Sequence, residues 1–438
     1  MFLLIFCKQL TPRVKYIFNF IFKDILLYEE DLSFTSNEIE FLQYDGPKFS
    51  YAEQPLKQEL HFGSCKLLFE TKIQPQHIDQ IIFGDTQVPF PVKNGFLPFD
   101  VFAASFYFVS RYEEYLPFEP DKHLRFKAEN SLLFQLDLLY IPVIDVWALM
   151  LKNILLKYFP LLKFGSRAFK FVPTFDIDRA YHFRNSGILK NTARIIKALL
   201  EKDKERLKNV LLTGLKKRKD PFDTYEMLRK IHNKHNLNPI FFFLYAHKRD
   251  KRYDVNIKPG KENFNALIKE TAQYADIGIH PSYASNQHKH LLTEEIKNLS
   301  MLIEKPIHKS RQHFLRLHLP KTYLQLKEVD ILHDYSMGYA SQPGFRAGTC
   351  TSFYWYDLQL EKQSVLKVYP FAVMDSTLKV YLKLNPEKAK ETISKIMGNV
   401  KLVNGTFCCL WHNESLSETE TWKGWSEVYR FMVEMAVK

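Results

Sequence analysis

The sequence predicts an α/β protein: a largely parallel sheet preceded by a smaller α+β domain. Short apolar runs alternate with helical patterns in the second half, which is typical of strand–helix units. The first half mixes short aromatic-rich strands with Pro- and Gly-containing turns and closes with a helical pattern over 143–158. The length, 438 residues, suits two or three domains of roughly 150 residues each. We therefore predict an N-terminal domain over 1–165 and a second domain over 166–438.

Six apolar runs are the predicted strands of the second domain. They are Phe169–Phe175, Ile240–Leu244, Asp276–Ile279, Phe314–Leu317, Val365–Val373 and Thr406–Trp411. Asp220 followed by Pro221 predicts a helix start, since Pro is tolerated at the first helical position. A second helix is predicted to start near Thr293.

Composition and charge exclude several classes of protein. Hydrophobic residues make up 46% and charged residues 25%, which excludes a disordered or collagen-like chain. The net charge is +12, and residues 187–219 carry eleven Lys or Arg against three acids. This amphipathic stretch predicts a solvated helix face, with a peripheral membrane or anionic-glycan contact as the alternative. No recognition motif supports nucleic-acid binding.

Cysteines and apolar segments predict the compartment. Five cysteines without paired spacing indicate free thiols and a reducing environment. The N-terminal apolar segment has no basic region before it and no small-residue cleavage site, so no signal peptide is expected. No uncharged run reaches about 18 residues, so no transmembrane helix is predicted. We expect a cytoplasmic protein.

Ionisable residues lie at the ends of the apolar runs, where catalytic groups of parallel sheets gather. The chain has no phosphate-binding loop, G-x-G-x-x-G, H-E-x-x-H, G-x-S-x-G or paired C-x-x-C motif, which disfavours the classes that depend on them. Asp176 and Asp178 follow the first run, and His280 follows the third. Arg311 opens the fourth, and His412 ends the last. The carboxyl ends of parallel strands converge, so this order predicts a metal hydrolase.

Several motifs carry a resemblance to a known family. Thr-Phe-Asp-Ile-Asp at 174–178 resembles the first motif of the polysaccharide deacetylases, the NodB-like enzymes of the carbohydrate esterase family 4 type. The resemblance covers roughly residues 169–438. The strings at 276–283, 311–316, 334–340, 344–349 and 411–413 resemble a Bacteroidetes-type branch, whose N-terminal domain of unassigned role is similar to residues 1–165.

The resemblance implies a fold, a metal and roles for five residues. The fold is a distorted (β/α) barrel of about seven strands with one divalent metal ion, for which zinc is the expected choice. Asp176 matches the general base that takes a proton from the attacking water. Arg311 matches the arginine that orients the carboxylate of this base. Asp178 and His280 match metal ligands. His412 matches the general acid for the departing amine.

Two family residues are replaced in this chain. Ile177 stands where the first motif of the family has its second Asp, so the metal-ligand role moves one place to Asp178. The second metal-binding His of the family falls at Ala284. His313 is the preferred third ligand, because an imidazole beside the site suits zinc. Ser285 and His288 are weaker candidates.

The expected activity is removal of N-acetyl groups from an amino sugar in a polysaccharide or its precursor. The backbone N–H of Phe314 is a candidate oxyanion donor. Asp375 and Arg346 are expected either to reach the active site or to hold loops through salt bridges. The alternative function is a catalytically inactive glycan-binding or assembly module, suggested by Ala284.

Overall fold

The computed structural model describes residues 2–184 and 218–438, with positions 192, 196, 200 and 213 between them. Most of the basic stretch 187–219 lies outside these residues, so its membrane or glycan contact stays a prediction. Within the described part, no helix has the length and apolar character needed to cross a bilayer.

The N-terminal half is built on a small parallel sheet. Strands β1 to β4 form it in the order β2-β1-β3-β4, and β5 and β6 form a separate antiparallel hairpin. The strands are β1 Leu3–Phe6, β2 Leu32–Thr35, β3 Lys48–Ala52, β4 His61–Gly63, β5 Gln80–Phe83 and β6 Thr86–Pro89. The helices are α1 Pro12–Asn19, α2 Glu38–Gln43, α3 Val101–Val109, α4 Leu132–Gln135 and α5 Val143–Tyr158. The predicted helix over 143–158 is confirmed by α5.

The second half holds a nine-stranded sheet, in the order β12-β13-β11-β10-β9-β8-β7-β15-β14. Within this sheet, β12 pairs antiparallel to its neighbour, and the other described pairings are parallel. The strands are β7 Lys170–Ile177, β8 Ile240–Phe243, β9 Asp276–Ile279, β10 Lys309–Ser310, β11 His333–Asp334, β12 Phe353–Asp357, β13 Lys362–Val368, β14 Val373–Met374 and β15 Thr406–His412. The helices are α6 Tyr225–Lys234, α7 Glu262–Thr271, α8 Lys289–Ile303, α9 Lys321–Glu328, α10 Pro386–Leu402 and α11 Trp425–Val437.

The predicted α/β class is confirmed, whereas the sheet shows no closed barrel. Among the described strands, no backbone pairing joins the two edges β12 and β14. Side chains alternate between the faces of the sheet. Phe175, Phe241 and Cys409 belong to the large core, while Phe242 and Cys408 belong to a smaller apolar cluster on the other face. This smaller cluster lies beneath the candidate site.

The predicted strand Phe314–Leu317 is wrong. The strand in this region is β10, and the chain turns immediately after it. Phe314 and Leu315 have φ of 58° and 52°, both in the left-handed region. Two consecutive left-handed residues cannot continue an extended strand.

Both predicted helix starts are displaced. Asp220 does not cap a helix at Pro221, because its carboxylate accepts the N–H groups of His182 and Phe183, and α6 begins only at Tyr225. The helix expected near Thr293 begins earlier, as α8.

Buried arginines join the two halves. Arg13 pairs with Glu361 at 2.6 Å, and Arg346 pairs with Glu114 at 2.6 Å. Arg346 therefore forms a salt bridge that holds the two halves together. Of the two roles expected for this residue, the structure shows the salt bridge. One continuous apolar core runs through both halves. The domain boundary at 165 stays a prediction.

The five cysteines are free in the structure. Cys408 and Cys409 point to opposite faces of β15, as their adjacency in a strand predicts. The reducing compartment stays a prediction.

His232 on α6 predicts an acid-sensitive stability. Its Nε2 lies 2.8 Å from the Tyr429 hydroxyl, and burial lowers the pKa of His232 to about 3. In the unfolded chain the imidazole of His232 takes up a proton near pH 6.5, whereas in the folded protein it stays neutral until about pH 3. The stability that depends on the neutral imidazole is therefore present above pH 6.5 and is lost as the pH falls toward 3. We expect the melting temperature of the wild type to fall more steeply between pH 6.5 and 4 than that of His232→Gln. Equal slopes, with exposed His290→Gln as control, would contradict this.

Candidate active site

The strand-end residues of the sequence analysis meet at one cavity of about 240 Å³. Asp176 is near the end of β7, and Asp178 follows the strand. His280 follows β9, His313 follows β10, and His412 ends β15. These strands are parallel members of one sheet, so their carboxyl ends open on the same side. All five side chains border the cavity.

Three of these residues bring together atoms of the types that can bind a metal ion. Oδ1 of Asp178 lies 3.1 Å from His280 Nε2 and 3.7 Å from His313 Nε2. One ligand atom from each residue lies within 4.8 Å of the others. Oδ1 of Asp178 is buried and has no hydrogen-bond partner among the described residues. A buried oxygen without a donor fits a cation in this position.

Outer contacts orient both imidazoles. His280 Nδ1 donates to the carbonyl of Arg311 at 2.6 Å, and His313 Nδ1 lies 3.1 Å from Asp254 Oδ1. Each histidine thereby presents Nε2 to the cluster, which is the usual arrangement of metal-binding histidines. Asp254 also accepts the N–H of Tyr283 at 2.7 Å, so it is held in place itself.

The charges of the cluster suit a cation. Burial would lower the pKa of His313, but the carboxylates of Asp178 and Asp254 raise it to about 9. Burial would raise the pKa of Asp178, but His313 and His280 hold it well below its usual range. The cluster therefore stabilises positive charge between its carboxylates. One carboxylate and two imidazoles form a donor set that suits zinc and leaves room for a further ligand.

Asp176 is held by a buried arginine. Arg311 donates from Nη1 to Asp176 Oδ1 at 2.9 Å and from Nε to the carbonyl of Tyr335 at 2.9 Å. The guanidinium also lies over the ring of Phe242, 4.6 Å from its centre. Because Oδ1 is occupied, Oδ2 is the oxygen of Asp176 left for a proton transfer. It lies 3.8 Å from His280 Nε2.

His412 is paired with a fully buried carboxylate. Its Nδ1 lies 2.8 Å from Asp375 Oδ1, and its backbone N–H donates to Oδ2 at 2.7 Å. Burial would lower the pKa of His412, but Asp375 raises it to about 10. Nε2 faces the cluster and lies 3.9 Å from Asp178 Oδ2. Asp375 thus contacts the site through His412, and its own side chain is not among the described residues that border the cavity.

The loop around Ala284 supports the cluster without supplying a ligand. Ala284 and Tyr283 face the Asp254 carboxylate with their N–H groups. The hydroxyl of Ser285 donates to the carbonyl of Ser282 at 2.9 Å, and His288 is exposed. Neither of these two candidates belongs to the donor cluster found among the described residues. Phe314 borders the cavity, and the oxyanion role of its N–H stays a prediction.

The residues of the site that were not predicted from the sequence include Asp254 and Glu414. Asp254 lies in the loop between β8 and α7, where one acid among several polar residues carries no local signal. Glu414 also borders the cavity, and burial raises its pKa. Glu414 follows His412 by two positions, and this spacing is the local sequence feature that indicates its place in the site.

Residues 3–160 match a family of unknown function, DUF7033. No curated protein matches the chain.

The solved structures similar to this chain include two deacetylases and an allantoinase. A Mycobacterium smegmatis protein assigned as a polysaccharide deacetylase has a TM-score of 0.38 and 13% identity, over 62% of this chain and 85% of that one. The Puue allantoinase has a TM-score of 0.37 and 10% identity, over 61% and 83%. The polysaccharide deacetylase Bc1974 from Bacillus cereus has a TM-score of 0.27 and 10% identity, over 61% and 86%.

Proposed function

We propose that this protein is a metal-dependent hydrolase that removes N-acetyl or similar acyl groups from an amino sugar in a polysaccharide or its precursor. One observation carries the proposal: a single cavity joins an Asp-His-His donor cluster, an arginine-paired aspartate and an aspartate-paired histidine. Metal-assisted amide hydrolysis uses three such elements: a metal ion, a base for the attacking water and an acid for the departing amine. The amino-sugar assignment is supported by the motifs at 174–178 and 276–283, which resemble those of polysaccharide deacetylases.

The donor cluster fits a divalent ion such as zinc. Asp178, His280 and His313 would hold it. When bound, such an ion polarises a carbonyl oxygen and lowers the pKa of a coordinated water. Asp254 and the carbonyl of Arg311 keep the two imidazoles in their ligand orientation.

Asp176 is the proposed general base. Arg311 binds one carboxylate oxygen, so the other is available to take a proton from the attacking water.

His412 is the proposed general acid. Asp375 binds Nδ1, so Nε2 is the atom that can deliver a proton to the amine nitrogen as it leaves. Leu315, Met374 and Leu410 line the cavity and provide an apolar surface for a short acyl group. The same wall disfavours a charged acyl group.

The inactive glycan-binding module is the second candidate, and Ala284 is the feature that favours it. In this interpretation the loss of the family histidine removes tight metal binding. His313 places an imidazole in the cluster, which supports the enzyme instead.

Release of acetate tests the proposed function. We expect purified protein loaded with zinc to release acetate from N-acetylglucosamine oligosaccharides. Treatment with dipicolinate should stop the release, and added zinc should restore it. Release that persists after chelation would contradict a metal hydrolase. Oligosaccharide binding with neither zinc binding nor acetate release would identify the inactive module.

A further inference from the structure

Arg125 extends from the N-terminal half to the catalytic cavity. Among the described residues that border the cavity, it is the one that comes from residues 1–165. Its Nη1 donates to the carbonyl of Phe314 at 2.8 Å, immediately after His313. Its Nε donates to Asp121 Oδ2 at 2.7 Å. The guanidinium thus joins the 121–125 loop to the 313–316 turn.

A second arginine makes the reverse connection. Arg316 of the 313–316 turn donates from Nε to the carbonyl of His123 at 3.2 Å. Its Nη1 donates to the carbonyl of Tyr283 at 2.9 Å, and the N–H of Tyr283 in turn donates to Asp254. The ring of His123 lies 4.8 Å from that of Phe314, centre to centre. The loop and the turn therefore hold each other through two guanidinium groups and an aromatic contact.

Both connected segments contain left-handed residues other than glycine. Phe314 and Leu315 have φ of 58° and 52° in the turn, and Leu124 has φ of 62° in the loop. Side chains with a Cβ rarely adopt this conformation, and it persists where surrounding contacts determine it. The carbonyl of Phe314 is a strained backbone group, and Arg125 binds it directly.

We propose that Arg125 is a positioning residue through which the N-terminal half fixes the 313–316 turn and aims His313 Nε2 at Asp178. The inference rests on the proposed metal site and adds a role for the N-terminal half. The carbonyl that Arg125 binds belongs to the residue after His313, so release of the turn moves the imidazole. The contact of Asp254 with His313 is to the imidazole ring, so the backbone of the turn depends on Arg125, on Arg316 and on its own hydrogen bonds.

Hydrogen exchange and zinc affinity of Arg125→Met test the proposal. We expect amide exchange in peptides covering 312–317 to become about tenfold faster. We also expect zinc affinity, measured by competition with a chelator, to weaken about tenfold, the lower end of the roughly 10–100-fold typical of outer contacts. Arg125→Lys keeps one donor and should recover part of both effects. Arg229→Met, which breaks an exposed pair with Glu270, is the matched control.

Each outcome decides the proposal. Unchanged exchange, or faster exchange with unchanged zinc affinity, would overturn it. If Arg125→Met does not fold, Asp121→Asn, which loosens the same guanidinium, must show the same changes at smaller size. The exchange measurement needs no metal and no substrate. It therefore tests whether Arg125 fixes the turn even if the wild type binds no zinc, a result that would defeat the proposed function alone.

Discussion

Asp178→Asn is expected to remove the metal, reducing bound zinc from about one ion per chain to a small fraction. The substitution replaces the only carboxylate of the donor cluster found among the described residues with a neutral amide. It also removes the negative charge that faces His280 and His313. The effect should exceed the roughly 100-fold upper range of outer-contact substitutions. Elemental analysis of the purified proteins measures it.

Asp276→Asn is the matched control for this prediction. Asp276 lies at the opposite end of the same sheet, at the start of β9, in an exposed pair with Lys309. The control should keep its zinc and should show the wild-type rise of melting temperature on zinc addition. Full zinc content in Asp178→Asn would contradict the assigned site.

His412→Ala is expected to lower kcat by about 10²- to 10⁴-fold while zinc content stays unchanged. Nε2 of His412 lies on the cavity side, and Asp375 holds the other ring nitrogen. Removal of the imidazole takes away the proton donor for the amine nitrogen and leaves the Asp178, His280 and His313 ligands in place. Steady-state acetate release and elemental analysis on the same preparation measure the two effects.

His290→Ala is the histidine control for this prediction, because His290 is exposed on α8. It should keep both the turnover and the zinc content of the wild type. Loss of zinc in His412→Ala would make His412 a ligand instead of an acid. Wild-type turnover in His412→Ala would contradict the mechanism.

The polar residues that end strands are the part of the site that local sequence predicts well. Asp176 and Asp178 follow an apolar run with a polar residue at every second position, and His412 ends another run. In a parallel sheet this pattern is enough to place the three side chains on one side. The structure places all three at the cavity.

Contacts between distant segments are the part that local sequence did not predict. Asp254 orients His313 across 59 positions of chain, and nothing near Asp254 marks it. The apolar run at 314–317 suggested a strand, whereas its first two residues form a left-handed turn. Apolar side chains indicate that a segment is buried, and they occur in buried turns as well as in buried strands. Long-range hydrogen bonds from Arg125 and Arg316 favour the turn.

Local chemistry in the chain was sufficient to predict the α/β class, the helix α5 and the residue types of the site. Those features depend on hydrophobic period and on side-chain identity, which are properties of short segments. The aspartate partner of His313 and the attachment of the N-terminal half to the cavity depend on which distant segments pack together. Tertiary packing determines these features. The hydrogen bond from Arg125 to the carbonyl of Phe314, for example, joins residues 189 positions apart and forms only when the chain between them has folded.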